Sequence, residues 1–319
     1  MTMSADHVHL IDSSIYVFRA WRAQPADILS RDGRPFNAVK GFADYLLMML
    51  ARERPSHALA AFDECFRKGE RNRRHAGYKA DRPEAPADLQ WQFGRCRQTA
   101  EAFGITTLGS PRVEADDIIG QMACCARHSA RPVTIISGDK DLVQFVREGD
   151  TYWDAGRQQP KGYRDLVKRF RVRPEQIADW LAICGDKSDN IAGVPGVGGS
   201  IAARLLGRWG DIDTLYANLG AVAEMQFRGA TRVSRLLYEH RDTVYFARTL
   251  TGLIEDDTLP RDIDTLLRRC PARNDMAEAL RDCGFEDSAA ENLAKRAVDT
   301  LPGEFRGGAS EPVHAVEEL

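Results

Sequence analysis

Acidic side chains follow three short apolar runs of this sequence. Asp12 ends the run VHLID, Asp63 ends ALAAFD, and Asp139 and Asp141 come directly after VTIIS and a glycine. Clustered carboxylates raise one another's pKa unless cations lie between them, and their hard oxygens suit Mg²⁺ or Mn²⁺. Two such ions about 4 Å apart can activate a water molecule and stabilise the leaving oxygen of a phosphodiester. Metal-assisted phosphodiester hydrolysis is therefore chemistry that these residues could perform.

Five further acids fit the same pattern. Glu114, Asp116 and Asp117 open the helix that precedes the third run, while Asp186 and Asp189 are three residues apart in GDKSDN and can face the same way. Any one of these acids has an ordinary alternative, because Asp116, for example, could simply cap its helix. That alternative weakens when several acids are expected at one edge of a sheet.

The elements that must position these acids alternate along the first half of the chain. Strands separated by helices predict an α/β fold with a mostly parallel central sheet and helices on both faces. Ligands bind outside the carboxyl ends of such strands, which is where the acids stand. From about residue 161 the pattern is almost wholly helical. We predict strands at residues 7–11, 57–62 and 132–136, weaker strands at 105–108 and 151–153, and helices at 37–52, 87–103, 116–127 and 142–147.

Composition excludes several classes of protein. The 319 residues are 43% hydrophobic and 29% charged, which is typical of a globular chain and not of collagen, mucins or disordered proteins. The longest apolar run, residues 45–51, is far shorter than the roughly 20 residues that span a membrane. The start of the chain does not resemble an export signal. Seven cysteines without a C-x-x-C pair favour neither disulfides nor zinc, and predict a reducing cytoplasm.

Basic residues are concentrated in two stretches, although the net charge is only −3. Residues 67–82 contain seven Lys or Arg and two acids, and residues 157–173 contain seven Lys or Arg and one acid. Basic surfaces beside an acidic cluster indicate a polyanionic partner such as nucleic acid. Solvated helix faces are the alternative explanation of either stretch alone.

Six motifs occur in the order found in structure-specific 5′-nucleases, which include flap endonucleases and the 5′-nuclease domain of bacterial DNA polymerase I. They are LIDSSIYVFRA, DGRPFNAVKGF, AAFDECFRKGERNRRHAGYKADR, VEADDIIG, ISGDKDLVQ and GDKSDNIAGVPGVG. The chain resembles this family from about residue 8 to 219. The resemblance implies a PIN-like 5′-nuclease core over residues 1–160 with a helical arch at about 66–100, a helical region over 161–300 with a helix–hairpin–helix at about 181–208, and a flexible tail over 301–319.

The resemblance also assigns roles to the acids. The matched positions, in chain order, are Asp12, Asp63, Glu114, Asp116, Asp117, Asp139, Asp141, Asp186 and Asp189. The resemblance implies that about the first six of these acids hold one divalent ion, Mg²⁺ or Mn²⁺. It implies that the last four shape a second site.

The segment HAGYKADR resembles the end of the family's arch, through which a single-stranded 5′ end passes. By this resemblance Lys79 and Arg82 polarise the scissile phosphate, Tyr78 stacks on a terminal base, and Arg19 contacts a phosphate near the metal ions. The alternatives are that Lys79 and Arg82 are only solvated and that Tyr78 is a packing residue.

The segment GVPGVGGSIAARLL resembles the family's helix–hairpin–helix, in which Gly196 and Gly198 would let the backbone approach DNA phosphates. Where relatives usually have Lys and Thr or Ser, this chain has Ser200 and Ile201, so Arg204 is the further expected DNA contact. A plain helical hairpin is the alternative. The resemblance implies a K⁺ ion bound by the carbonyls of Leu181, Ala182, Ala192, Val194 and Val197.

Together these features predict a Mg²⁺-dependent 5′-nuclease, acting as a flap endonuclease or 5′-3′ exonuclease. Its expected substrate is DNA with a 5′ flap, a 5′ overhang or a nicked or branched structure. No polymerase segment follows before Leu319, so we expect a stand-alone, monomeric, cytoplasmic enzyme that meets the nucleoid during replication or repair and no membrane. The alternatives are a catalytically silent binder of branched DNA, and a ribonuclease or phosphatase on a related acidic α/β scaffold.

Overall fold

A computed structural model describes residues 7–65, 67–269 and 271–300. The segment 301–319, which we predicted as a flexible tail, lies outside the described residues. In the described part the strands form one sheet of order β3-β2-β1-β4-β5-β6, in which β1 to β5 are parallel and β6 is antiparallel to β5. This confirms the predicted α/β class. The strands are β1 (Val8–Asp12), β2 (His57–Asp63), β3 (Thr106–Ser110), β4 (Val133–Ile136), β5 (Thr151–Trp153) and β6 (Lys161–Gly162).

Helices connect the strands and make up the rest of the described chain. The first five are α1 (Ser13–Ala23), α2 (Asn37–Glu53), α3 (Glu70–Arg74), α4 (Ala87–Ala102) and α5 (Ala115–His128). They are followed by α6 (Tyr163–Phe170), α7 (Ile177–Cys184), α8 (Gly199–Trp209), α9 (Ile212–Ala217), α10 (Leu219–Val222), α11 (Ala230–Glu239), α12 (Arg241–Thr251), α13 (Arg273–Cys283) and α14 (Asp287–Val298).

The central strands β1, β2 and β4 are buried on both faces because they are nearly continuous apolar runs. All five residues of β1 are buried, and successive side chains point to opposite faces. Leu10 therefore packs in a core with Ile118 of α5, while Ile11 packs in a second core with Phe42 of α2. Packing on both faces therefore fixes the position of β1, and with it the position of Asp12 at the carboxyl end of the strand.

The helical half extends the same two cores. Leu181 of α7, Leu205 of α8 and Leu250 of α12 belong to the core that contains Leu10, so the hairpin region is packed onto the α5 side of the sheet. Leu280 of α13 joins the other core instead. In the described part of the chain, no helix has both the length and the apolar character needed to cross a membrane.

One predicted helix has a different form. Residues 142–147 were expected to be α-helical, but the structure has a 3₁₀ helix at Lys140–Phe145. The Asp139 carboxylate accepts a hydrogen bond from the Asp141 amide, so the chain turns tightly straight after the strand. The tight turn keeps both aspartates at the sheet edge.

Candidate active site

The carboxyl ends of neighbouring parallel strands bring the predicted acids together. Strand β1 lies between β2 and β4, so Asp12 stands between Asp63 and the turn that holds Asp139. Ser137 Oγ donates a 2.7 Å hydrogen bond to Asp12, and the Ala115 amide donates a 2.8 Å hydrogen bond to Asp63. The second contact fixes the start of α5, and with it Asp116, against the end of β2.

Burial raises the pKa values of several carboxylates in this cluster. Burial, together with the neighbouring Asp63 and Asp139, raises the pKa of Asp12 from 3.8 to about 7. Burial and the same kind of repulsion raise the pKa of Asp141 to about 7 and hold the pKa of Asp116 well above its ordinary value. Asp141 Oδ1 is buried and has no hydrogen-bond partner. Oxygen donors in this state suit a hard divalent cation, because a cation would offset their repulsion.

Lys79 and Arg82, the two cations predicted for the arch, form ion pairs with acids of the cluster. Lys79 Nζ is 2.6 Å from Glu114 Oε1 and 3.7 Å from Asp189 Oδ2, and Arg82 Nη2 is 2.6 Å from Asp189 Oδ1. Burial alone would raise the pKa of Glu114, but the charges of Lys79 and Arg71 lower it below its usual value. The structure therefore brings Lys79 and Arg82 to the cluster, where they pair with carboxylates.

Tyr78 occupies a different environment from the one expected for a base-stacking residue. It is only 3% exposed, its ring belongs to the main core, and its hydroxyl donates to Glu114 at 2.7 Å. A base could reach this ring only if the segment moved. In the described structure Tyr78 is thus a packing residue that also orients an acid.

A lysine that the sequence analysis overlooked links the acids of the predicted second site. Lys140 Nζ lies 2.7 Å from Asp186 Oδ2 and 3.7 Å from Asp141 Oδ1. Burial would raise the pKa of Asp186, yet its hydrogen bonds with Lys140 and Ser188 lower it. The signal was in the sequence, since Lys140 stands between the two aspartates of GDKD.

Asp117 has its acceptor positions filled by protein groups. It forms a two-point ion pair with Arg71, and it accepts hydrogen bonds from the amides of Glu114 at 3.2 Å and Ile254 at 2.9 Å. An ionised carboxylate offers about four lone-pair sites, so Asp117 has no free oxygen position for a metal ion in this arrangement. Arg71 also donates to the Leu250 carbonyl, and the pair thereby joins α3, α5 and the end of α12.

Within the described residues, no three carboxylate, histidine or cysteine side chains converge closely enough to hold one ion. The ammonium groups of Lys79 and Lys140 lie between acids that would otherwise face each other. The donor set still fits Mg²⁺ or Mn²⁺ in its chemistry, because its oxygens are hard, buried and incompletely neutralised.

Arg19 reaches the same sheet edge from α1. Its guanidinium forms a two-point pair with Asp154, and a Cβ atom at Gly138 would overlap with it. Asp154 was not among the predicted residues, although it directly follows β5 just as the other acids follow their strands. An open groove of about 700 Å³ begins beside Arg19 and runs along α1 to Gln24.

The predicted hairpin joins α7 to α8. Gly196 has φ +81°, and Gly198 has nothing within 4 Å of the position of a Cβ atom, so both leave the backbone open to solvent. Arg204 is already engaged, since it donates a 3.1 Å hydrogen bond to the Gln226 carbonyl. Of the carbonyls predicted to bind K⁺, that of Leu181 accepts from Gly185 at 2.7 Å and that of Val194 accepts from Val197 at 3.0 Å, and the K⁺ role of the five stays a prediction.

Comparison with known proteins identifies the family. Residues 7–174 match the family described as 5′-3′ exonuclease, N-terminal resolvase-like domain, and residues 172–274 match the 5′-3′ exonuclease, C-terminal SAM fold. The chain belongs to the 5′-3′ exonuclease family. It is thus a nuclease by family, as the motifs predicted.

Individual relatives agree with this assignment. The chain is 35% identical over 286 residues to DNA polymerase I of Pseudomonas aeruginosa, covering 89% of this chain and 31% of the relative. It is 34% identical over 211 residues to the 5′-3′ exonuclease of Aquifex aeolicus, covering 66% of this chain and 72% of the relative. The chain thus spans about a third of the length of the polymerase relative.

A solved structure shares the fold. The bacteriophage T5 D15 flap endonuclease, crystallised as a pseudo-enzyme–product complex with DNA and metal ions, matches with a TM-score of 0.60 at 16% identity. The match covers 92% of this chain and 98% of the other. At this level of identity the likeness establishes the fold.

Proposed function

We propose that this chain is a divalent-metal-dependent 5′-nuclease that hydrolyses phosphodiester bonds at 5′ flaps, 5′ overhangs or nicks of branched DNA. The observation that carries the proposal is the pairing of buried, partly unneutralised carboxylates with Lys79 and Arg82 at one sheet edge. A silent DNA binder would gain nothing from concentrated negative charge beside phosphates. A ribonuclease or phosphatase on a related scaffold would leave the hairpin and the basic stretch at residues 67–82 without a role.

The carboxylates would hold the ions. Bound there, Mg²⁺ or Mn²⁺ supplies an activated water and stabilises the leaving oxygen. We assign the first site to Asp12, Asp63, Glu114 and Asp116, and the second to Asp139, Asp141, Asp186 and Asp189. Asp117 instead holds Arg71 and the start of α5 in position.

Lys79 and Arg82 would act on the substrate. Each now neutralises a carboxylate, so ions bound at the acids would free both side chains for the phosphate next to the cut. A preorganised cation there stabilises the charge that develops in the transition state. Arg19, held by Asp154 and open to the groove along α1, would contact a phosphate nearby.

The remaining assignments are part of the same proposal. The hairpin at residues 193–199 would bind the duplex arm. K⁺ would be held by the carbonyls of Leu181, Ala182, Ala192, Val194 and Val197. The protein would work as a cytoplasmic monomer on DNA during replication or repair.

One assay tests the activity. A labelled 5′-flap DNA, the matching 5′-flap RNA and a phosphomonoester are each incubated with Mg²⁺, with Mn²⁺ or with EDTA. We expect cleavage of the DNA only, in the presence of a divalent ion, with a 5′-phosphate on the product. Flap binding in Ca²⁺ without cleavage in Mg²⁺ or Mn²⁺ would favour the silent binder, and preferential RNA cleavage would favour the ribonuclease.

Variants connect the activity to the site. Asp116→Asn should abolish cleavage while binding persists or tightens, because one negative charge near the phosphates is removed. Asp257→Asn is the matched control, since its side chain is 86% exposed and pairs with Arg261 at the surface. Residual cleavage by Asp116→Asn within threefold of the control would contradict the metal assignment.

A further inference from the structure

The start of α8, directly after the hairpin turn, carries no charged side chain before Arg204. Ser200 and Ile201 stand there, and Arg204, one turn further on, is bound to the Gln226 carbonyl and lies over the Phe227 ring. A positively charged side chain beside the turn would strengthen a phosphate contact made there by the backbone, because each neutralised phosphate adds to the affinity for DNA. Another element of the fold supplies such a side chain.

Helix α11 brings an arginine to the turn. Arg232 Nη2 lies 3.6 Å from the position that a Cβ atom would take at Gly196. Among the described residues beyond Pro195 and Val197, no other atom lies within 4 Å of that position. Within the described part of the chain, Arg232 makes no hydrogen bond, ion pair or ring contact, and its side chain is exposed. A phosphate that approaches the open backbone at Gly196 would thus meet an unpaired guanidinium.

Packing holds α11 in this position. Val233 and Leu237 are buried in the main core, and Ser234 Oγ donates a 2.9 Å hydrogen bond to the Leu219 carbonyl. The contact of Arg204 with Gln226 fixes the loop that leads into α11. Arg204 therefore serves as a positioning residue for the helix that carries Arg232.

We propose that Arg232 binds a backbone phosphate of the DNA duplex together with the hairpin turn at Gly196, and so supplies a charged contact that Ser200 and Ile201 do not provide. An arginine suits this role, because its planar guanidinium can donate two parallel hydrogen bonds to one phosphate. The inference rests on the proposed function insofar as the partner is DNA.

Binding measurements test it. The affinity of a labelled 5′-flap DNA is followed by fluorescence anisotropy in Ca²⁺ over a range of KCl concentrations. Loss of one phosphate contact should lower the slope of log K against log salt by about one. At 0.1 M salt, Arg232→Ala should therefore bind the flap DNA about eightfold more weakly than the wild type. Arg232→Lys should keep most of the slope, because it keeps the charge.

Arg235→Ala is the matched control. Arg235 lies on the same helix, is exposed, and already pairs with Glu239 at 3.4 Å. It removes the same charge from the surface, so equal losses in Arg232→Ala and Arg235→Ala would mean that only the general field matters and would overturn the proposal. An unchanged slope in Arg232→Ala would also overturn it.

A double variant locates the contact. Gly198 is open to solvent two residues from Gly196, so Gly198→Leu should crowd a phosphate bound at this turn. Arg232→Ala should then cost less in that background than in the wild type, because neighbouring sites are not additive. Full additivity would place Arg232 elsewhere on the DNA and contradict the inference. Failure of the proposed function would be seen separately, because the wild-type protein would then cut no flap DNA. That result does not depend on the effect of Arg232 on binding.

Discussion

Asp116 and Asp117 are adjacent in sequence, yet the structure predicts that their removal changes the stability of the metal-free protein in opposite directions. Asp116 belongs to the repelling cluster, where burial raises its pKa well above the ordinary value. Asp117 is the buried partner of Arg71. We therefore expect Asp116→Asn to stabilise the fold and Asp117→Asn to destabilise it.

The expected change in the free energy of unfolding follows, for each variant, from the environment of the carboxylate that is removed. Asp117 and Arg71 are 1% and 7% exposed, and removing one partner of a buried pair costs about 3–5 kcal/mol. Asp12, in the same cluster as Asp116, has its pKa raised from 3.8 to about 7. At about 1.4 kcal/mol per unit its ionisation costs about 4 kcal/mol. Because the cluster relaxes when one charge is lost, we expect a gain of about 1–2 kcal/mol from Asp116→Asn.

Thermal and urea unfolding in EDTA at pH 8 measure both changes. A loss of about 3–5 kcal/mol should lower the Tm of Asp117→Asn by about 5–8 °C, whereas that of Asp116→Asn should rise by about 2–3 °C. The surface variant Asp257→Asn should stay within about 0.5 kcal/mol of wild type. The same sign of change in Asp116→Asn and Asp117→Asn would refute the separation of roles, even if both variants lose cleavage.

Three further outcomes are expected. Since the folded-state pKa values of Asp12 and Asp141 are raised to about 7, the metal-free protein should lose stability as pH rises from about 4 through 7, and saturating Mg²⁺ should remove this loss in thermal melts. Lys79→Met should bind Mg²⁺ more tightly in calorimetry, because an ammonium no longer competes for the acids, and unchanged affinity would contradict that competition. Gly138→Ala should fold normally but bind flap DNA less well than wild type, because the new methyl group displaces Arg19; normal affinity would argue against a DNA contact there.

The sequence was sufficient to predict what depends on local pattern. Residues 57–62 were predicted as a strand from their apolar run, and β2 covers them and extends to Asp63. The position of Asp12 at a strand end followed from the same reasoning. These predictions succeeded because an apolar run flanked by helical patterns leaves few alternatives in an α/β chain.

The sequence could not predict how charges pair over long distances. Arg71 contacts the Leu250 carbonyl, 179 residues away, and Arg19 pairs with Asp154, 135 residues away. No spacing rule connects such positions, so Asp117 and Asp116 look equivalent in the motif although one is a structural anchor. For Tyr78 the sequence left base stacking and packing as alternatives, and the burial of its ring is seen only in the structure.

The pairing of Lys79 with Glu114 and of Arg82 with Asp189 has a consequence for the order of events at the site. While each cation neutralises a carboxylate at 2.6 Å, it has less charge and fewer N–H donors left for a phosphate. A divalent ion at the acids removes that attraction, and we expect it to release both side chains at the moment when the site becomes competent. A phosphate alone would have to compete with the buried carboxylates for the same cations. We therefore expect binding of the ions to be coupled to the presentation of Lys79 and Arg82 to DNA. The coupling would act through the carboxylates with which the two cations pair.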